Sequence, residues 1–148
     1  MAVTISVESV AEAWEEALPL MEAEHRELEL KRPFAPDLEA LQACEIAGTF
    51  KALVAREDGR MIGYLSWLID FDMESRGTLI AHQTAWYVKP GNPGIAFQMF
   101  DWAVDYFKQL GVKFAYLHHP VIGRGRNLRL FFERKGAKLI SHTYEMEL

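Results

Sequence analysis

The sequence predicts an α/β (α+β) fold: a single mixed, mostly antiparallel sheet with helices on both faces, in the order β-α-α-β-β-β-α-β-α-β. Three observations carry this. Three strand-like segments follow one another in mid-chain, FKALVAR, MIGYLSWLI and TLIAHQTAWYV, and the Asp-Gly pair of EDGR marks the first connection as a hairpin. An acidic pair of helix-period segments precedes them. A long apolar helix then crosses over to VKFAYLH, which makes the strands on either side of it parallel within one sheet.

Taken in order, VTISVES alternates as a short first strand, and Ser9 stands ready to cap the helix that follows. From Val10 to about Leu30 the apolar positions Val10, Trp14, Ala17, Leu18, Met21 and Leu28 keep helical spacing, with His25 as the polar exception on that stripe. KRPFAP ends this helix. Asp37 caps a second one through DLEALQACEIAG, which stops at Gly48, and the acidic pair with its Pro-rich loop would wall a cleft. After the three-strand meander, TAWYVKPGNPGIA is a strand, a Pro/Gly/Asn turn and a helix start in immediate succession, with Asn92 as N-cap and Pro93 as first helical residue. The helix is apolar at Ile95, Met99, Trp102, Ala103, Tyr106 and Leu110 and ends at Gly111. PVIGRGR reads as a loop, NLRLFFERKGA as a short helix burying Leu128, Phe131 and Phe132, and AKLISHTYEMEL as a closing strand.

The chain has 148 residues, 50% of them hydrophobic, which fits one domain spanning residues 1–148 with a full core. No apolar run approaches the ~20 residues of a membrane span, and the N-terminus lacks the layout of a signal peptide, so a soluble, cytoplasmic protein without membrane contact is expected. The lone Cys44 forms no internal disulfide. His118 and His119, adjacent on a strand, would point to opposite faces, and no metal site is expected. The formal charge of -5 hides an asymmetry: residues 1–74 carry 16 acidic and 6 basic side chains, residues 75–148 carry 5 acidic and 10 basic. Such a division suits an anionic ligand on the second half and a cationic one on the first, while an acidic chain argues against nucleic acid.

The turn is the most informative segment. Backbone N–H groups at a helix N-terminus carry partial positive charge, and Gly94, Ile95 and Ala96 leave them little covered, which suits a pyrophosphate. With the element order and with LFFERKGAKL, this turn resembles that of the GNAT acyltransferase superfamily over nearly the whole chain, most closely its small phage and bacterial branch. The resemblance implies acetyl-CoA as acyl donor and a primary amine, small-molecule or protein-borne, as acceptor. It implies cofactor contacts from Trp86, Tyr87 and Val88 on the strand and from Asn92, Gly94, Ile95 and Ala96 on the turn, with Arg124 and Arg126 pairing with CoA phosphates. His82 is the candidate base, Tyr144 or Tyr116 the candidate acid, and Glu24, His25 and Glu27 the candidate acceptor site. Three positions depart from the pattern, and one of them, Pro93, removes a backbone donor from the turn. Gly91 stands where the family has Gln or Arg, and Phe132 stands where many members have a proton-donating Tyr. Those departures keep open an alternative, a non-catalytic protein of the same fold that binds a partner such as a host factor. Trp67 and Phe71 are expected as exposed aromatics that would mark a homodimer face.

Overall fold

The computed structural model describes residues 2–92, 94–119 and 128–148. Five strands form one sheet in the order β1-β2-β3-β4-β5: β1 (Val3–Glu8), β2 (Phe50–Glu57), β3 (Arg60–Phe71), β4 (Leu79–Val88) and β5 (Phe114–Tyr116). The first four pair antiparallel and β5 runs parallel to β4, as the crossover predicts. Among the described residues the helices are α1 (Val10–Glu27), α2 (Leu38–Ile46), α3 (Ile95–Leu110) and α4 (Arg129–Arg134).

The β2–β3 hairpin turns on Asp58 and Gly59 with φ of 49° and 81°, the paired positive angles that its tight turn demands. Asp37 caps α2 through a bond from the Ala40 amide (3.0 Å), as the sequence predicts. Ser9 occupies the N-cap of α1 without a side-chain bond. The Val10 amide is taken instead by Glu45 of α2 (3.0 Å), so the second helix caps the first.

Both faces of the sheet are covered. On one, α3 buries Ile95, Ala96, Met99, Ala103 and Phe107 against Leu53, Leu65, Trp67, Ile69, Ala81 and Val88. On the other, Ala13 and Leu20 of α1 pack on Val54, Met61, Tyr64 and Tyr87. Trp67 is 1% exposed, with Phe107 edge-on to its ring at 4.8 Å. It is core and marks no dimer face, whereas Phe71 is exposed as expected.

The closing strand does not form. Residues 137–148 carry no regular structure, and Leu139, Ile140, Tyr144, Met146 and Leu148 are exposed. Alternation shows that a segment can adopt a strand but does not provide a partner edge, and β5, with three residues, offers a short one.

Candidate functional site

The site is built where β4 loses its neighbour. β5 pairs with β4 only over Ile80–Phe114, Ala81–Ala115 and His82–Tyr116, yet β4 continues to Val88. From residue 83 onward, then, no described residue pairs with this edge of β4. The Lys89 amide bonds to the Ile62 carbonyl of β3 (2.8 Å), and in an antiparallel ladder amides alternate inward and outward. Tyr87 then faces β3, while the Trp86 and Val88 amides point to the open edge. Of the three strand residues expected to offer backbone to a cofactor, Tyr87 does not.

A β-bulge sits in the same stretch. Ser66 pairs with Ala85 and Trp67 with Gln83, so Thr84 is the extra residue, its hydroxyl 2.7 Å from that of Ser66. The bulge shifts side-chain parity. His82, expected on one face with Thr84, Trp86 and Val88, shares the α1 face with Thr84, Ala85 and Tyr87, while Trp86 and Val88 face α3. His82 is exposed and stacks on Tyr116, centroids 4.8 Å apart and planes at 17°.

On the α1 face the open edge meets Glu24. Its Oε1 lies 3.4 Å from the Trp86 amide, and its Oε2 accepts a hydrogen bond from the Tyr64 hydroxyl. Burial, the largest effect, pushes the Glu24 carboxyl above its ordinary range and outweighs the hydrogen bonds from Tyr64 and Trp86; the nearby Glu27 carboxylate pushes the same way. The Tyr64 phenol is also raised, first by burial and then by the neighbouring Glu24 charge. His25 belongs elsewhere. Its Nε2 lies 2.7 Å from the Arg32 carbonyl oxygen and its ring meets Phe34 edge-on at 5.6 Å, so it ties the end of α1 to the Pro-rich loop.

On the α3 face, Trp86 stacks on Phe100 (5.9 Å) and Phe132 (6.3 Å), and Phe131 closes the cluster. Phe132, 8% exposed, brings no proton to the fork. A cleft of about 570 Å³ opens beside this cluster, lined by Trp67, Gln83, Phe100, Val104, Tyr116 and Ala137. Gln83 spans it by accepting the His118 amide (3.3 Å). Tyr144 is 89% exposed on the irregular tail and is not brought to the site.

The turn leads from the open edge to α3. Asn92 does not cap the helix: its Nδ2 donates to the Lys89 and Pro90 carbonyls (3.0 and 3.4 Å), tying the turn to itself. Gly94 is the N-cap, with φ of 87°, and the Gln98 amide closes the first helical bond on its carbonyl (3.0 Å). A right-handed helix cannot run through a left-handed residue, which delays its start to Ile95. Pro93, Arg124 and Arg126 lie outside the described residues.

Sequence reasoning missed Tyr64, Gln83 and the bulge at Thr84. A signal for the first was present. The buried stripe of α1 is Val10, Ala13, Ala17 and Leu20, whose spacing of three and four continues to Glu24, making Glu24 and not His25 the polar exception on the buried face.

No family model matches the sequence, and no curated protein matches it. Solved structures do. Ribosomal-protein-alanine N-acetyltransferase from Brucella melitensis biovar Abortus 2308 superposes with a TM-score of 0.74 over 99% of each chain, at 23% identity. The chain has the GNAT fold. An aminoglycoside acetyltransferase from an uncultured soil metagenomic sample, solved with sisomicin, matches with a TM-score of 0.74 at 18% identity over 99% of this chain and 97% of that one. A predicted acetyltransferase from Clostridium acetobutylicum, solved with acetyl-CoA, matches with a TM-score of 0.73 at 14% identity over 99% of this chain and 96% of that one. Within this GNAT fold the fork between β4 and β5 and the turn before α3 are the features that distinguish one end of the sheet from the other.

Proposed function

We propose that the protein is an acetyl-CoA-dependent N-acyltransferase that moves an acetyl group directly to a primary amine. The observation that carries this reading is the fork: β4 parts from β5 after His82 and presents the outward Trp86 and Val88 amides between a carboxylate on one face and an aromatic cleft on the other. The structural neighbours named above include acetyltransferases of a ribosomal-protein alanine and of an aminoglycoside, acceptors whose shared feature is an amine.

The residues present fit the cofactor. The indole N–H groups of Trp67 and Trp86 are buried without a partner among the described residues, so the rings beside the cleft hold unspent donors of the kind an amide-bearing arm takes up. Gly91 and Gly94 have open space where a Cβ would stand, which leaves the turn free of bulk over the first amides of α3. The Val88 amide and the outward Trp86 carbonyl would hold the arm by backbone bonds, and Gly94, Ile95 and Ala96 the pyrophosphate. The bound cofactor supplies a thioester, an acyl carbon open to attack. Glu24 and Glu27 attract a cationic acceptor to the opposite face, where close approach does most of the remaining work.

Titration with acetyl-CoA and with free CoA tests this. Millimolar ligand is expected to raise the melting temperature and to move amide signals at Trp86, Val88 and Ala96, and thiol release should follow addition of an amine. No stabilisation by either ligand would refute the reading. A second reading, cofactor binding without transfer, draws on Phe132, which offers no hydroxyl beside Trp86. Stabilisation by acetyl-CoA with no thiol release across a panel of amines and lysine peptides would favour it.

A further inference from the structure

We propose that Glu24 is the proton acceptor for the attacking amine, held over the open edge of β4 by Tyr64 and the Trp86 amide. The proposal rests on the acyl-transfer reading and goes beyond it by assigning the base to a helix residue in place of His82.

Each Glu24 oxygen has one fixed donor, the Trp86 amide at 3.4 Å on Oε1 and the Tyr64 hydroxyl on Oε2, so the carboxylate is oriented before any ligand arrives and keeps lone pairs free. The Trp86 amide points outward, which places this carboxylate over the stretch of β4 that has no β5 beside it. Ala17, Met21, Ala23 and Ala85 pack against the buried cluster that holds Tyr64 and Tyr87, the apolar surroundings of the Glu24 partner. The ionisable groups that face Glu24 are Tyr64 from β3, Tyr87 from β4, its ring 6.3 Å from that of Tyr64, and Glu27 on α1 itself. None of these groups is a base that becomes cationic, so among the described residues acting on Glu24 there is no cation to compete with a protonated nitrogen. The raised carboxyl brings the acceptor toward the operating pH, where general bases work best. His82 lacks this setting: it is exposed, stacked flat on Tyr116, and lies in the paired part of the fork.

In the step, the acceptor first releases its ammonium proton to bulk water; the lone pair of the neutral amine then forms the C–N bond to the thioester carbonyl carbon while the C–S bond breaks and its electron pair leaves on sulfur. The nitrogen, cationic once bonded, gives one proton to Glu24. The thiolate, with an ordinary thiol pKa of ~8.5, leaves without a dedicated acid, which accommodates Phe132.

The test compares pH profiles of kcat/KM for the wild type, Glu24→Gln, Glu24→Asp and His82→Ala, with acetyl-CoA and butylamine, and records acetyl-CoA affinity by calorimetry. Glu24→Gln is expected to lower kcat by ~10²- to 10⁴-fold, to remove the acidic limb and to leave acetyl-CoA affinity within a factor of about 2; Glu24→Asp should restore part of the rate and the limb. Glu22→Gln, an exposed carboxylate on the same helix, should leave the profile unchanged. Loss of the acidic limb in His82→Ala with the limb retained in Glu24→Gln overturns the proposal. A second readout needs no turnover: in protein labelled with ¹³C at Glu Cδ, butylammonium should lower the Glu24 titration midpoint, and an unmoved midpoint also overturns it. If the wild type transfers to no amine, the acyl-transfer reading falls, and a Glu24 midpoint that still moves with butylammonium tells that failure apart from failure of the Glu24 placement.

Discussion

Glu24 shows how one polar residue on a buried stripe changes what a helix does. Its carboxyl is raised because burial disfavours the charged form more than Tyr64 and the Trp86 amide favour it. The native state therefore binds this proton more tightly than the unfolded chain does. Protonated Glu24 costs the fold nothing at pH below the ordinary value of 4.5, and a penalty accrues as pH rises through the native pKa. Glutamine cannot ionise, so the stability of the wild type relative to Glu24→Gln is expected to fall between pH 4 and pH 8 in urea denaturation; a difference constant with pH would rule out the burial argument. His25 illustrates the opposite case. It lies next to Glu24 in sequence, yet its bond to the Arg32 carbonyl and its contact with Phe34 serve the loop. A stripe drawn through Trp14, Leu18 and Met21 selects His25; one drawn through Ala13, Ala17 and Leu20 selects Glu24. The small alanines decided the matter, because they let α1 approach the sheet, and a reading weighted by side-chain size passes over them.

Elements were legible wherever periodicity and a stop signal coincided: β2, β3 and their Asp-Gly turn, α2 with its Asp37 cap, and α3 with Gly111. What the sequence did not reveal depends on pairing between elements. The Thr84 bulge, the fork after His82 and the unpaired tail are properties of register and of neighbouring edges, which no single segment encodes. Two glycines near the site separate local from pairwise requirements. At Gly94 there is open space but φ is 87°, so Gly94→Ala is expected to cost about 1 kcal/mol through backbone conformation alone. At Gly63 a Cβ would stand 2.9 Å from the Tyr87 carbonyl oxygen and 3.2 Å from Val88 Cα, backbone that cannot swing aside. Gly63→Ala should cost ~1 to 3 kcal/mol and displace the edge of β4, so its acetyl-CoA affinity falls with its stability. Denaturation midpoints and calorimetric affinities check both; equal affinity in wild type and Gly63→Ala would disconnect the β3–β4 contact from the site. Arg56 supplies a third case. It bonds Glu8 of β1 through two nitrogens at 2.9 Å each and Glu16 of α1 at 2.7 Å, and its side chain is 19% exposed. Arg56→Ala leaves a half-buried Glu8 unpaired and is expected to destabilise by about 2 kcal/mol, more than the near-neutral loss of an exposed pair such as Arg129–Glu133.

At the scale of the molecule, the sheet separates two charge regimes. The acidic first half supplies β1 to β3 with α1 and α2, and thus the Glu24 face of the fork; the cationic second half supplies the turn, α3 and α4. This division was readable by counting residues, but its meaning was not, because only the fork places both regimes at one opening. If an anionic cofactor enters from the α3 side and a cationic amine from the α1 side, each approach is assisted by the field of its own half, and both fields are screened by salt over ~10 Å at 0.1 M. Raising ionic strength from 50 to 500 mM should therefore weaken acetyl-CoA binding and raise KM for a cationic amine, each severalfold, while the melting temperature of the free protein changes little. Changing the acceptor separates the two sides. An aromatic amine, neutral at pH 7, should keep its KM as salt rises, whereas spermidine should lose affinity most. Equal salt dependence for the neutral and the polycationic acceptor would show that the acidic half plays no part in acceptor capture and would confine electrostatics to the cofactor side of the fork.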